Sequence, residues 1–182
     1  MSARRPVIAA SAGIALLVML TAGAAAGGAS GAGGTFVDAS GRSIGWVRLV
    51  EDGMGTIHVN VHVAGLTPGL HGIHIHAIGA CTPTFAAAGG HYNPSGLQHG
   101  LYNPNGAHAG DLPNLIVNAQ GIGHLDTTTD GVTISSGPTT LFDSTAGAVG
   151  SSFVIHASED DQVSQPIGNS GDRVACAVIE AE

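Results

Sequence analysis

Apolar and polar residues alternate with a period of two over much of this chain, the spacing of a β-strand with one buried face. The clearest case is residues 56–63, where Ile57, Val59, Val61 and Val63 make one face and His58, Asn60 and His62 the other. His58 and His62 are therefore expected to face solvent. Residues 43–51 read the same way, with Ile44, Trp46 and Arg48 on alternating positions, and residues 35–37 form a short strand before them. In residues 72–76, Ile73 and Ile75 alternate with His74 and His76, so the two imidazoles share one face of a stiff strand, where they either grip one metal ion or stand as two polar residues facing solvent. Further strands are expected at 112–117, 122–128, 151–156 and 173–179. Periodicity disappears over 79–110, 130–150 and 157–172, three long loops rich in turn residues. Eight short strands without a convincing helix predict an all-β, antiparallel Greek-key sandwich or barrel. A loop near thirty residues long in a compact domain is usually either functional or disordered.

The N-terminus reads as a signal peptide over residues 1–26: Arg4 and Arg5, an apolar run over 7–20, then small residues at 22–26. A retained membrane anchor is the rival reading, and membrane contact is expected only in that case. No cysteine precedes Cys81, so the leader's end has no site for a lipid-modified cysteine. Residues 27–34 read as a flexible Gly/Ala/Ser linker, and 35–182 as the folded domain. An exported chain implies a secreted, envelope or periplasmic location. Its two cysteines, Cys81 and Cys176, would pair in an oxidising compartment; two buried free thiols are the alternative.

Charge narrows the partners. Five arginines face 13 acidic residues, and there is no lysine. An acidic chain without a basic patch argues against nucleic acid. Ten histidines, all but His156 between positions 58 and 124, raise the prior for a metal site. His91, His99, His108 and Asp111 lie within 21 residues of one loop and suit tetrahedral zinc. His74, His76 and His156 sit on strands and could hold a second ion, with nitrogen-only ligation suiting copper. His124 is expected on the surface, and Asp161 as a solvated charge.

Several segments in order resemble the copper/zinc superoxide dismutase family: His74-x-His76, His91-Tyr92-Asn93-Pro94, the spacing of His99, His108 and Asp111, His156-x-x-x-Asp160-Asp161, and the run from Gly168 to Cys176. The resemblance covers roughly residues 35–180. It implies a superoxide dismutase holding copper and zinc, with the superoxide anion as substrate. His74, His76, His91 and His156 would be the copper ligands, and His91, His99, His108 and Asp111 the zinc ligands. His91 would bridge the ions and take up a proton during turnover. Asp160 would link His74 to His99 from outside, His71 would be a structural histidine, Cys81 and Cys176 would form the family disulfide, and Arg173 would be the active-site arginine. A homodimer is compatible with the resemblance. Two other readings remain open: an exported copper-buffering module of the same fold, and a copper-only dismutase, which would lack the zinc ligands. Without lysines, steering of the anion should rest on Arg173 and the metals.

Overall fold

The computed structural model describes Met1 and residues 30–142 and 150–182. Residues 2–26 of the expected leader and residues 27–29 of the expected linker lie outside them. Among the described residues, ten strands form one antiparallel sheet: β1 (Ser30–Asp38), β2 (Ser43–Glu51), β3 (Ile57–Ala64), β4 (Gly69–His71), β5 (Ile73–His76), β6 (Leu115–Val117), β7 (Ile122–Thr129), β8 (Ser152–His156), β9 (Arg173–Val178) and β10 (Glu180–Ala181). The pairing order is β4-β6-β7-β3-β2-β1-β9-β8-β5, with β10 beside β1. The two outermost strands, β4 and β5, are consecutive in the chain, so the sheet curls into a nearly closed barrel with Gly72 at the seam. There the Gly72 amide donates to the Ser158 carbonyl, and the Gly72 carbonyl accepts from the His156 amide, each at 2.8 Å. β7 and β8 follow one another in sequence but are not neighbours in this order, which gives the barrel Greek-key character.

All eight expected strands are present, and β4 and β10 are additions. Residues 30–34, expected in the linker, belong instead to β1. They pair residue by residue with β2, from Ser30 opposite Glu51 to Gly34 opposite Val47. The glycines are there for close backbone approach: a Cβ on Gly34 would strike the Val178 carbonyl.

The alternation in β3 holds, with Ile57, Val59, Val61 and Val63 fully buried and His58 and His62 exposed. His62 stacks on the exposed Trp46 of β2, and His124 faces solvent opposite His62 on β7. The core lies inside the barrel. Phe36 and Phe153 meet there edge to face at 6.4 Å, joined by Leu49, Ile73, Ile75, Leu115 and Ile155.

The loop between β5 and β6 carries a single 3-10 turn at Phe85–Ala88. Backbone hydrogen bonds fold it back on β5: Tyr92 donates to the Ile75 carbonyl, Ile75 to Gly110, and Ala77 to Gly90. Isolated bridges then set His91 opposite His76 and Asp111 opposite His74. A disulfide joins Cys81 at the loop's start to Cys176 in β9, with Cα atoms 5.8 Å apart. Closing a loop of 95 residues contributes about 4.7 kcal/mol in the chain-entropy picture.

Glu51 ends β2 pointing inward and pins the connection after β7. Its carboxylate accepts from the Ile134 and Ser135 amides at 2.9 and 2.6 Å and from the Ser135 hydroxyl at 2.8 Å. Burial alone would raise its pKa, but these donors outweigh it and hold the group below its ordinary 4.5. A depressed carboxylate adds stability that is complete above the ordinary value and is lost as pH falls through the folded one. Glu51→Ala should cost about 1–3 kcal/mol in urea unfolding at pH 7, because three donors lose their acceptor. The gap between parent and variant should narrow as pH falls below 4.5 and the carboxylate loses its charge; a gap of unchanged size in acid would refute this role for the charge.

Candidate metal centre

Four buried ring nitrogens converge with no hydrogen-bond partner among the described residues: Nδ1 of His74 and Nε2 of His76, His91 and His156. Unpartnered buried polar atoms are rare and costly. Four in one place are the signature of a ligand set. The other nitrogen of each ring is held. His74 Nε2 donates to Asp160 Oδ2 at 2.7 Å, His76 Nδ1 to the Gly89 carbonyl at 3.0 Å, and His156 Nδ1 to the Gly171 carbonyl at 3.0 Å. Carboxylate and carbonyl oxygens only accept, so each held nitrogen carries the proton and its partner keeps a lone pair. The ligand atoms of these four histidines lie within 4.8 Å of one another.

A second set adjoins the first through His91, whose Nδ1 lies 2.9 Å from Asp111 Oδ1. Nδ1 of His99 and of His108 lie 3.0 and 3.3 Å from the same oxygen, and His108 Nδ1 is 3.3 Å from His91 Nδ1. Donors around a tetrahedral ion with bonds of about 2.0–2.1 Å stand about 3.3 Å apart, so these spacings fit zinc. His74 also falls within 4.8 Å of His91, His99 and Asp111. Its fixed tautomer assigns it to the first set, because its Nε2 is committed to Asp160 and its free Nδ1 faces the other orphaned nitrogens.

Electrostatics follow burial and pairing. Burial lowers His74 to about 3, His76 to about 2 and His156 to about 4. All three are neutral at physiological pH, so a metal need displace no proton from them. Burial would lower His99 too, but its hydrogen bonds to Asp111 and Asp160 raise it to about 9. Both carboxyls sit well below the ordinary range: burial opposes this, and the histidine hydrogen bonds prevail.

Asp160 spans the two sets, Oδ2 on His74 and Oδ1 on His99 Nε2 at 3.0 Å. His71 is buried at the β4 end, its Nδ1 2.6 Å from the His156 carbonyl and its Nε2 2.8 Å from the Thr67 carbonyl. Arg173 donates to the Phe85 and Gly89 carbonyls, each at 2.6 Å. Gly89 thus receives both Arg173 and His76, fixing the guanidinium relative to a ring of the first set. Arg42 and Arg48 are ion-paired with Asp38 and Glu182, which leaves Arg173 the one arginine without an ion pair among the described residues. His58, His62 and His124 stay outside both sets. Asp161 is exposed; its pKa is held near 2 by hydrogen bonds from Ser164, Val163 and Asn169. So it caps a local turn as well as being solvated.

Residues 43–179 match the profile of the family described as copper/zinc superoxide dismutase. The chain belongs to the copper/zinc superoxide dismutase family. "Superoxide dismutase [Cu-Zn] 2" of Aquifex aeolicus (strain VF5) is 39% identical over 146 residues, covering 79% of this chain and 82% of that one. A solved SOD-like protein from Bacillus subtilis superposes with a TM-score of 0.71 at 34% identity, over 80% of this chain and 95% of that one. The clock protein EA4 does so with a TM-score of 0.69 at 30% identity, over 83% and 94% of the two chains. Copper and zinc are the metals of the superoxide dismutase family, and the two donor sets fit them in number, chemistry and spacing.

Some supporting residues carried no signal in the sequence. Asn114 clasps the Asp160 backbone, donating to its carbonyl at 2.8 Å and accepting from its amide at 2.9 Å. Gly168 has φ +61°, and a Cβ there would strike the Asp160 carboxylate. An Asn after a proline and a Gly in a loop both read as ordinary turn chemistry.

Proposed function

We infer that this chain is an exported superoxide dismutase that converts two superoxide anions and two protons to dioxygen and hydrogen peroxide. The observation that carries this is the convergence of four orphaned buried nitrogens beside an arginine held by backbone carbonyls. His74, His76, His91 and His156 would hold copper; His91, His99, His108 and Asp111 would hold zinc. When bound, copper supplies one-electron redox chemistry in both directions, and zinc, which has no second oxidation state, supplies fixed positive charge. Arg173 gives the anion a docking cation. His91 offers Nε2 as the atom at which a proton is held and passed on, while Nδ1 stays with the second set. Asp160 orients His74 and His99. The disulfide holds the segment whose Phe85 and Gly89 carbonyls position Arg173 and, with the leader, supports export.

The test is metal content and superoxide turnover on the same exported sample. About one copper and one zinc per chain with turnover supports the enzyme. Zinc without copper, and no turnover after copper is restored, would favour the copper-buffering module. With one arginine free of an ion pair among the described residues and no lysine in the chain, kcat/KM should change little between low and physiological ionic strength, and a steep fall with salt would contradict it.

A further inference from the structure

The four donors of the second set are not held alike. Asp111 has its other oxygen, Oδ2, fixed by the Gly100 and His108 amides at 2.8 and 3.0 Å. His99 has its far nitrogen held by Asp160 at 3.0 Å. His91 has its far nitrogen aimed into the first set. His108 is the exception. Its Nδ1 joins the set, but its Nε2 has no hydrogen-bond partner among the described residues. Its side chain is 11% exposed, against 0–2% for the other three.

His108 and Asp111 line a cavity of about 290 Å³, walled by Leu97, Leu101, Thr139 and Asp130. Leu97 and Leu101 are themselves exposed, so the cavity opens to solvent. Asp130 is also exposed, and its carboxylate makes no hydrogen bond or ion pair among the described residues. The cleft that contains His156 and Arg173 shares no residue with this cavity.

We propose that zinc enters and leaves the second set through this cavity, with His108 as the ligand that swings aside and Asp130 as the first point of capture. The proposal rests on the zinc assignment above. An ion held by four donors must lose one first, and outer hydrogen bonds are what hold a metal-binding side chain in place. Releasing His99 or Asp111 breaks such bonds; releasing His108 breaks none and turns its ring into open space. An unpaired carboxylate at the mouth attracts a divalent cation over a distance that salt shortens. Zinc traffic is thereby separated from the copper cleft.

The experiment follows zinc uptake and release by stopped flow with a chromophoric chelator, using the full chain. Leu101→Trp narrows the passage without touching a donor. It should slow uptake and release by the same factor, about tenfold or more, leaving the zinc Kd and the copper uptake rate unchanged. Asp130→Asn should slow uptake at low ionic strength and flatten its salt dependence. Parent-like rates in both variants would overturn the proposal, as would a slowing of copper and zinc alike. If Leu101→Trp does not fold, Asp130→Asn decides: uptake unchanged at low salt refutes the capture point. Failure of the parent to bind zinc at equilibrium is a separate result, which removes the zinc assignment and this route with it.

Discussion

Replacing His91 with alanine should abolish superoxide turnover and weaken both metal sites at once. It is the one ring with a nitrogen in each donor set: Nε2 is buried and unpartnered, and Nδ1 lies 2.9 Å from Asp111 Oδ1. Its removal leaves three donors on either side and takes away the atom assigned to carry the proton. Losing an outer-shell partner typically costs ~10–100-fold in affinity or activity, and loss of a direct donor shared by two ions should exceed that. Metal analysis and turnover on the purified variant make the check, with a far-ultraviolet spectrum to establish folding. The copper absorption spectrum gives a signature that simple damage would not. In the parent it should shift when zinc is removed, and in His91→Ala that response should vanish. Retained turnover, or a retained zinc response, would refute the bridging role.

Asp160→Asn should weaken the copper set more than the zinc set. The carboxylate accepts from His74 Nε2 on Oδ2, and from both His99 Nε2 and the Gln162 amide, at 3.0 and 2.6 Å, on Oδ1. An asparagine has one accepting oxygen and one donating NH2. Two donors converge on the Oδ1 position and one on the Oδ2 position, so the amide oxygen takes the former. His74 then faces a donor with its own N–H and must change tautomer or turn away. Either move removes the lone pair at Nδ1 that the first set needs. Copper affinity should fall about 10–100-fold, with a smaller loss for zinc, in competitive chelator titrations. Equal losses, or a larger loss of zinc, would show that Asp160 does not work in this way.

Period-two alternation made the barrel legible because half its residues face a dry core. Ile57 to Val63 could hardly be anything else. The same rule misread residues 30–34. A Gly/Ala/Ser run carries no alternation, and β1 needs those small residues only because the Val178 backbone passes so close. The four histidines of the first set were legible through local spacing and family order. Their sequestration was not: His74 and His76 would lie on an outer face of the strand, and it is the returning loop, bridged at His91 and Asp111, that buries them. Nor does local sequence reveal contacts between distant segments. Asn114 reaches Asp160 across 46 residues, and Gly89 meets Arg173 across 84. Such pairings exist only once the barrel has closed.

The seam at Gly72 also bears on how the molecule behaves among copies of itself. Open sheet edges present rows of free N–H and C=O groups that recruit strands from neighbouring chains and seed aggregates. Here the outermost strands are one continuous piece of chain. One of them, β4, is only three residues long, too short to serve as a template. The other, β5, has its outer side occupied by the returning loop, through the bridges to His91 and Asp111. The loop that brings the metal donors together therefore also blocks the addition of foreign strands.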